Sequence, residues 1–219
     1  MSVDDVVPVL GQGAVSCASI SAMNDTYNVL DHQGEGKVTE KMSRFLAFAR
    51  YVETEEEARA VVKDFQNEYH DARHVCWAFM VGPNRDKWQL NDDGEPSGTA
   101  GKPILGQINS LGLTNVVVVV VRYFGGIKLG TSGLIAAYRQ AARLALEDGD
   151  SVVMRRMKTV AITFPYMSMN DVMKLVKGQG LRIAEQVFDN TCEMTIEMPE
   201  DDYDAVCTRL YGIDGVSVQ

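Results

Sequence analysis

The sequence predicts an α+β fold in two domains, and three observations predict it. Val116–Val121 is a run of six valines, the composition of a strand buried on both faces. Helical and strand-like periodicities are interleaved on either side of that run, and the pattern restarts after Gly149-Asp150 in the order β-α-β-β-α-β. At 219 residues the chain is long enough for one large domain or two smaller ones, each with its own core. The boundary is expected near 150–155, which gives domains over 1–150 and 151–219.

Residues 1–22 are small and weakly patterned and are expected to be loosely held. Between Asn24 and Val52, β-favouring residues are interrupted by Asp31-His32-Gln33-Gly34-Glu35-Gly36, which reads as the turn of a hairpin. Its strands fall near 26–31 and 37–50, and Ser43–Ala49 alternates as a half-buried strand does. Thr54 and Glu57 form a capping box for a helix to about Asn67, with Ala58, Val61, Val62 and Phe65 on one face. Arg73–Val81 reads as a strand and Gly82–Pro96 as a long polar loop. Ser97 or Thr99 caps a short helix through Ile104, Leu105, Ile108 and Leu111. The valine strand follows over Thr114–Arg122, then a glycine loop over Gly125–Thr131 and an alanine-rich helix from Ser132 to about Glu147. In the second domain, strands are expected at Val152–Phe164, Leu181–Val187, Cys192–Met198 and Gly215–Gln219. Helices are expected at Ser168–Gly178 and from Pro199 to about Tyr211. The turn Asp189-Asn190 joins the two middle strands. This order is the split-βαβ, or ferredoxin-like, arrangement.

Bulk composition narrows the function classes. No stretch approaches 18 consecutive apolar residues, so no transmembrane helix and no membrane partner is expected. The acidic start Met1-Ser2-Val3-Asp4-Asp5 lacks the basic region of a secretion signal. Cys17, Cys76, Cys192 and Cys207 show no paired spacing, as expected of reduced thiols in a cytoplasmic protein. The net charge of -9 opposes broad binding to DNA or membranes.

Against that charge, residues 96–146 contain no Asp or Glu. At the chain's average acid content about seven would be expected there. The same stretch holds Lys102, Arg122, Lys128, Arg139 and Arg143, an arrangement suited to a local anion-binding surface. The alternative is that a buried strand and two packed helices exclude acids. Gly125–Gly133 does not fit the phosphate-loop pattern, because Leu129 follows Lys128, and no dinucleotide fingerprint is present. Backbone N–H groups at the start of the following helix, with Arg122 and Lys128 nearby, still suit a phosphate.

Asp92, Asp93 and Glu95 are weak candidates for a hard cation, without the spacing of a calcium loop. They could instead pair with Arg122 or Lys128, or cap the helix that follows. His74 and Cys76 share a strand face, but their Cα atoms are about 6.6 Å apart, which enforces no nucleophile–base contact. No cofactor is expected, and the methionines of the second domain read as core filling.

Several segments resemble the YigZ/IMPACT family of translation-linked proteins: Ser43-Arg44-Phe45, the Ala72–His74 stretch with Ala78, Asp92–Gly101, and Arg122–Gly130. The resemblance spans about residues 20–147, with the remainder similar to the smaller C-terminal domain of bacterial members. It implies an N-terminal fold like small-subunit ribosomal protein five and domain four of elongation factor G. It also implies that eukaryotic members regulate translation by competing for an activator of a stress kinase. They do so with an additional N-terminal domain that these residues do not match, so that role is not carried over. The family pattern places an Arg where this chain has Ala136. The resulting expectation is a non-catalytic RNA- or ribosome-binding protein linked to translation. Lys102, Arg122, Lys128, Arg139 and Arg143 would contact phosphates on the Gly125-Gly126 loop and its helix, and Tyr123 or Phe124 would stack on a base. The alternatives are a metal-assisted hydrolase using Asp92, Asp93, Glu95 and His74, and an adaptor with a protein partner.

Overall fold

A computed structural model describes residues 26–189 and 191–219. The expectation for residues 1–22, Cys17 and the Asn190 half of the expected turn lie outside the described residues. The described chain divides into two compact units, Thr26–Arg156 and Met157–Gln219.

The first unit is built on a five-stranded antiparallel sheet. Its strands are β2 (Gly34–Glu40), β3 (Ser43–Tyr51), β4 (His74–Val81), β5 (Lys87–Asn91) and β6 (Val116–Tyr123), in the order β2-β3-β6-β4-β5. The valine strand is central, and all six valines are fully buried. Val116, Val118 and Val120 join one core with Phe45, Cys76 and Met80. Val117, Val119 and Val121 join a second core on the opposite face. Apolar residues on both faces require cover on both faces. Helix α1 (Glu55–Glu68) supplies it on one side through Ala58, Val62 and Phe65. Helices α2 (Gly101–Ser110) and α3 (Gly130–Asp148) supply it on the other. The cap of α1 is the expected one: Thr54 Oγ1 accepts from the Glu57 N–H at 3.1 Å, while Glu57 reaches back to the Glu53 N–H at 2.7 Å.

Three sequence expectations are corrected in this unit. The hairpin turn is at Lys41-Met42, both at positive φ (44° and 67°), and not at Asp31–Gly36. Gly34 and Gly36 lie inside β2, because α3 packs directly on that strand. A Cβ on Gly34 would sit 2.0 Å from the Ala145 carbonyl oxygen, and one on Gly36 2.7 Å from that of Ala141. Lys87–Asn91 is an edge strand within the expected loop, paired to β4 with Leu90 inward and Trp88 exposed. The expected strand Val152–Phe164 breaks at Arg156. Its first part, β7 (Ser151–Arg155), pairs with β1 (Thr26–Leu30), so the division falls at Arg156.

The second unit comprises β8 (Met157–Pro165), α4 (Met169–Gly178), β9 (Arg182–Val187), β10 (Thr191–Pro199), α5 (Tyr203–Tyr211) and β11 (Ser217–Val218). The antiparallel sheet runs β11-β8-β10-β9. Alternate residues of β8 and β10, Val160, Ile162 and Phe164 with Cys192, Met194, Ile196 and Met198, bury one face. Val172, Val176, Val206 and Leu210 of the helices complete this core; Met194 and Met198 fill it and Met169 and Met173 pack against it, whereas Met167, expected there too, is exposed because it lies in the turn before α4. Among the described residues, no helix is long and apolar enough to cross a membrane.

The close β2–α3 approach gives a stability test. Gly34→Ala forces the backbones apart and should destabilise the first unit by about 1–3 kcal/mol. Both tryptophans, Trp77 and Trp88, lie in that unit. A lower urea midpoint by tryptophan fluorescence, with an unchanged slope, is the expected reading.

Candidate anion-binding cleft

Strand pairing fixes the cleft. Across the sheet, Arg122 of β6 stands opposite Phe45 on β3 and His74 on β4. Residues in register share a face, and this one is covered by α2 and α3. Arg122 thus continues the row of Val118 and Val120 beneath the helices and is only 6 % exposed. A buried guanidinium needs a counter-charge. Glu95, itself buried, supplies it: Arg122 Nη1 donates to Glu95 Oε1 at 2.5 Å. The Tyr138 hydroxyl of α3 donates to the same oxygen at 2.8 Å. Arg122 Nε has no partner although it is fully buried. The guanidinium also lies between two rings, 5.5 Å from the centroid of Phe45 and 5.7 Å from that of Phe124.

The loop carrying Glu95 is held by the two acids before it. Asp92 accepts from the N–H groups of Gly98, Ala100 and Gly101 at 2.7–3.0 Å. It therefore caps α2, the role Ser97 or Thr99 was expected to fill. Thr99 instead donates its hydroxyl to the Pro96 carbonyl. Asp93 accepts from the Val75 N–H at 2.6 Å, which pins the loop to β4. Neither is turned toward a common cation position with Glu95. Among the described residues, no group of three or more His, Cys, Asp or Glu side chains is placed to hold a metal.

His74 Nδ1 lies 2.7 Å from the Asp93 carbonyl oxygen, which can only accept, so Nδ1 carries the proton. Its Nε2 is 4.0 Å from Glu95 Oε1. Cys76 lies deeper, 3.3 Å from Tyr138 Oη and 3.1 Å from the Asp92 carbonyl. Burial pushes the Cys76 thiol up, well beyond the ordinary thiol range, and raises the Tyr138 hydroxyl likewise. Neither ionises near neutral pH, and a buried protonated thiol is a poor nucleophile.

Around this floor opens a cleft of about 460 Å³. Arg73, His74, Lys128 and the start of α3 at Leu129–Thr131 line it, with Phe124 and Leu134 as apolar walls. No side chain caps α3, and its first turn holds no acid. Its free N–H groups and positive dipole end face the cleft. The loop geometry depends on glycine. A Cβ on Gly125 would lie 2.1 Å from the Met42 backbone, and Gly126 sits at φ 88° with open space around it.

The sequence-predicted residues divide among three places. Arg122, Phe124, Gly125, Gly126 and Lys128 belong to the cleft or its loop. Tyr123 faces the opposite side of the sheet, where its hydroxyl donates to Asp71 at 2.8 Å and Arg44 lies over its ring. Lys102, Arg139 and Arg143 are exposed on the outer surface of α2 and α3, and Arg143 pairs with Glu147 at 2.7 Å. Arg122 is a buried, paired cation and not an exposed one. Arg73 and Tyr138 escaped the sequence reading. Arg73 directly precedes His74 at the strand start, and Tyr138 is a lone aromatic in a helix of small residues; those were the only signals.

The fold and site define a class: a two-unit α+β protein with a buried Arg–Glu pair flooring a cleft at an uncapped helix N-terminus. Residues 41–146 match the Impact N-terminal domain. An IMPACT family member of Haemophilus influenzae is 35% identical over 172 residues, covering 78% of this chain and 84% of that protein. YvyE, an IMPACT family member of Bacillus subtilis, is 31% identical over 84% of each chain. A solved structure, described as the crystal structure of an hypothetical protein, superposes with a TM-score of 0.70 at 26% identity. It covers 89% of this chain and 96% of the other. The chain belongs to the IMPACT family.

Two outcomes test the floor. Glu95→Ala and Arg122→Ala should each destabilise on the order of 3–5 kcal/mol, because each strands a buried charge. The double variant should cost clearly less than the sum in urea unfolding, since the residues are coupled. Cys76 should resist alkylation at pH 8.5 until denaturant is added, as mapped by mass spectrometry.

Proposed function

We propose that the protein binds RNA, free or in the ribosome, by seating a phosphate group in the cleft at the start of α3. The observation that carries this reading is the convergence of an uncapped helix N-terminus, Lys128, Arg73 and the partly unpartnered Arg122 on one concave site. Glu95 is committed to Arg122 and Tyr138, so its charge is largely neutralised toward the ligand. Phe124, 43% exposed at the rim, is positioned to stack on a base. Lys102 and Arg139 extend positive charge along the outer helices and would contact further phosphates.

Family membership supports a link to translation. The strand order β11-β8-β10-β9 with two helices accords with a ferredoxin-like second domain. The first unit is, on this reading, the counterpart of small-subunit ribosomal protein five and of domain four of elongation factor G.

The test is co-sedimentation with ribosomes and RNA across a salt series, with and without nuclease. Binding should weaken with salt. The Arg73→Ala, Lys128→Ala double variant should reduce the slope of log K against log salt by about two, one per lost phosphate contact. Both residues are exposed, so the fold should persist. An unchanged slope would remove the cleft from the interface.

A further inference from the structure

We propose that the cleft selects a phosphomonoester carried by a nucleotide, whether at the end of an RNA chain or on a free mononucleotide. This rests on the phosphate-binding reading above and narrows it. Three features of the cleft carry it.

The first is the floor. Arg122 and Glu95 line the cleft and are both buried, so the site is closed at its base. A phosphate that reaches the base enters end-on. A terminal monoester has one substituent and can do this. An internal phosphodiester has two, and both must turn back out past the walls.

The second is charge. A monoester carries about −1.5 to −2 at pH 7, whereas a diester carries one negative charge. Arg73 and Lys128 have no ion-pair partner among the described residues, and the α3 N-terminus adds about half a positive charge. Arg122 keeps Nε unpartnered although its Nη1 is paired. After Glu95 is set against Arg122, the surplus matches a dianion. His74 sits beside this floor with Nδ1 fixed on the Asp93 carbonyl and Nε2 4.0 Å from Glu95 Oε1.

The third is size and wall chemistry. A volume of about 460 Å³ lies in the range of small-molecule sites. Phe124, Leu129 and Leu134 give the upper wall an apolar surface, suited to a base and ribose above the bound phosphate.

The experiment uses the full chain and four probes. They are a short single-stranded RNA, labelled at its 3′ end, with a 5′-phosphate; the same RNA with a 5′-hydroxyl; a nucleoside 5′-monophosphate; and its nucleoside. Fluorescence anisotropy should show the 5′-phosphorylated RNA binding at least about tenfold tighter than the hydroxyl form, the worth of an added charge-assisted contact. The monophosphate should compete and the nucleoside should not. Arg73→Ala with Lys128→Ala should abolish the preference. Equal binding of the two RNAs overturns the proposal and leaves the RNA-binding reading intact. Monophosphate binding in isothermal titration calorimetry without binding of either RNA supports the monoester site and overturns RNA as its source. Absence of binding by every probe overturns both.

Discussion

The buried ion pair between Arg122 and Glu95 is the contact on which the cleft depends. It joins the end of the central strand, the Asp92–Gly98 loop and, through the Tyr138 hydroxyl, helix α3. Without it, Arg122 and Glu95 would each be a buried charge with no counter-charge. A buried pair of this kind contributes little net stability, because desolvation offsets most of the Coulomb gain. Its effect is to make one geometry far better than its neighbours. Displacing the loop leaves a charge uncompensated in a medium of low polarity, and displacing α3 removes the Tyr138 hydrogen bond to the same carboxylate. The pair thus ties the cleft floor to α3 through Tyr138.

That arrangement separates two roles for positive charge. Arg122 is structural first, and its pairing with Glu95 removes most of its field from the cleft. The field that remains comes from Lys128, Arg73 and the helix dipole, all at the rim. Such a local field is compatible with a chain of net charge -9. Acids elsewhere on the surface are screened over about 10 Å at ordinary ionic strength. A phosphate placed in the cleft would be shielded from them and would meet donors already in place.

Much of the fold was legible in the sequence because it follows from period and punctuation. Six valines in succession can be buried only between two layers, and Thr54 with Glu57 announces α1. What escaped was set by tertiary contact. Gly34 and Gly36 look like turn residues, yet they stand in a strand because α3 needs their missing side chains. Lys87–Asn91 is polar because it is an edge strand with one solvated face, and it reads as loop. The site was half legible for a related reason. Arg122, Tyr123 and Phe124 are adjacent in sequence, but the pleat sends the first two to opposite faces. Tyr138 and Arg73 reach the site through register and helix packing, which no local pattern encodes. Pairing of these acids with Arg122 and capping of the following helix were both open readings of the loop, and both are present.

The acid-free stretch over residues 96–146 can now be apportioned between its two explanations. Burial accounts for the valine strand and for the inner faces of α2 and α3, where a carboxylate would be unpaired in the core. It does not account for the exposed positions. Asn109, Ser110, Thr131, Ser132, Gln140 and Leu144 are open to solvent, and none is acidic in a chain otherwise rich in acids. Thr131 and Ser132 are the sharper cases, because the first turn of a helix favours Asp and Glu. The first turn of α1 carries three of them, Glu55, Glu56 and Glu57. The first turn of α3 carries none, although an acid there would stabilise the helix. Helix stability alone would fill that turn with carboxylates; leaving it bare keeps the α3 N–H groups open to an anion from outside the chain.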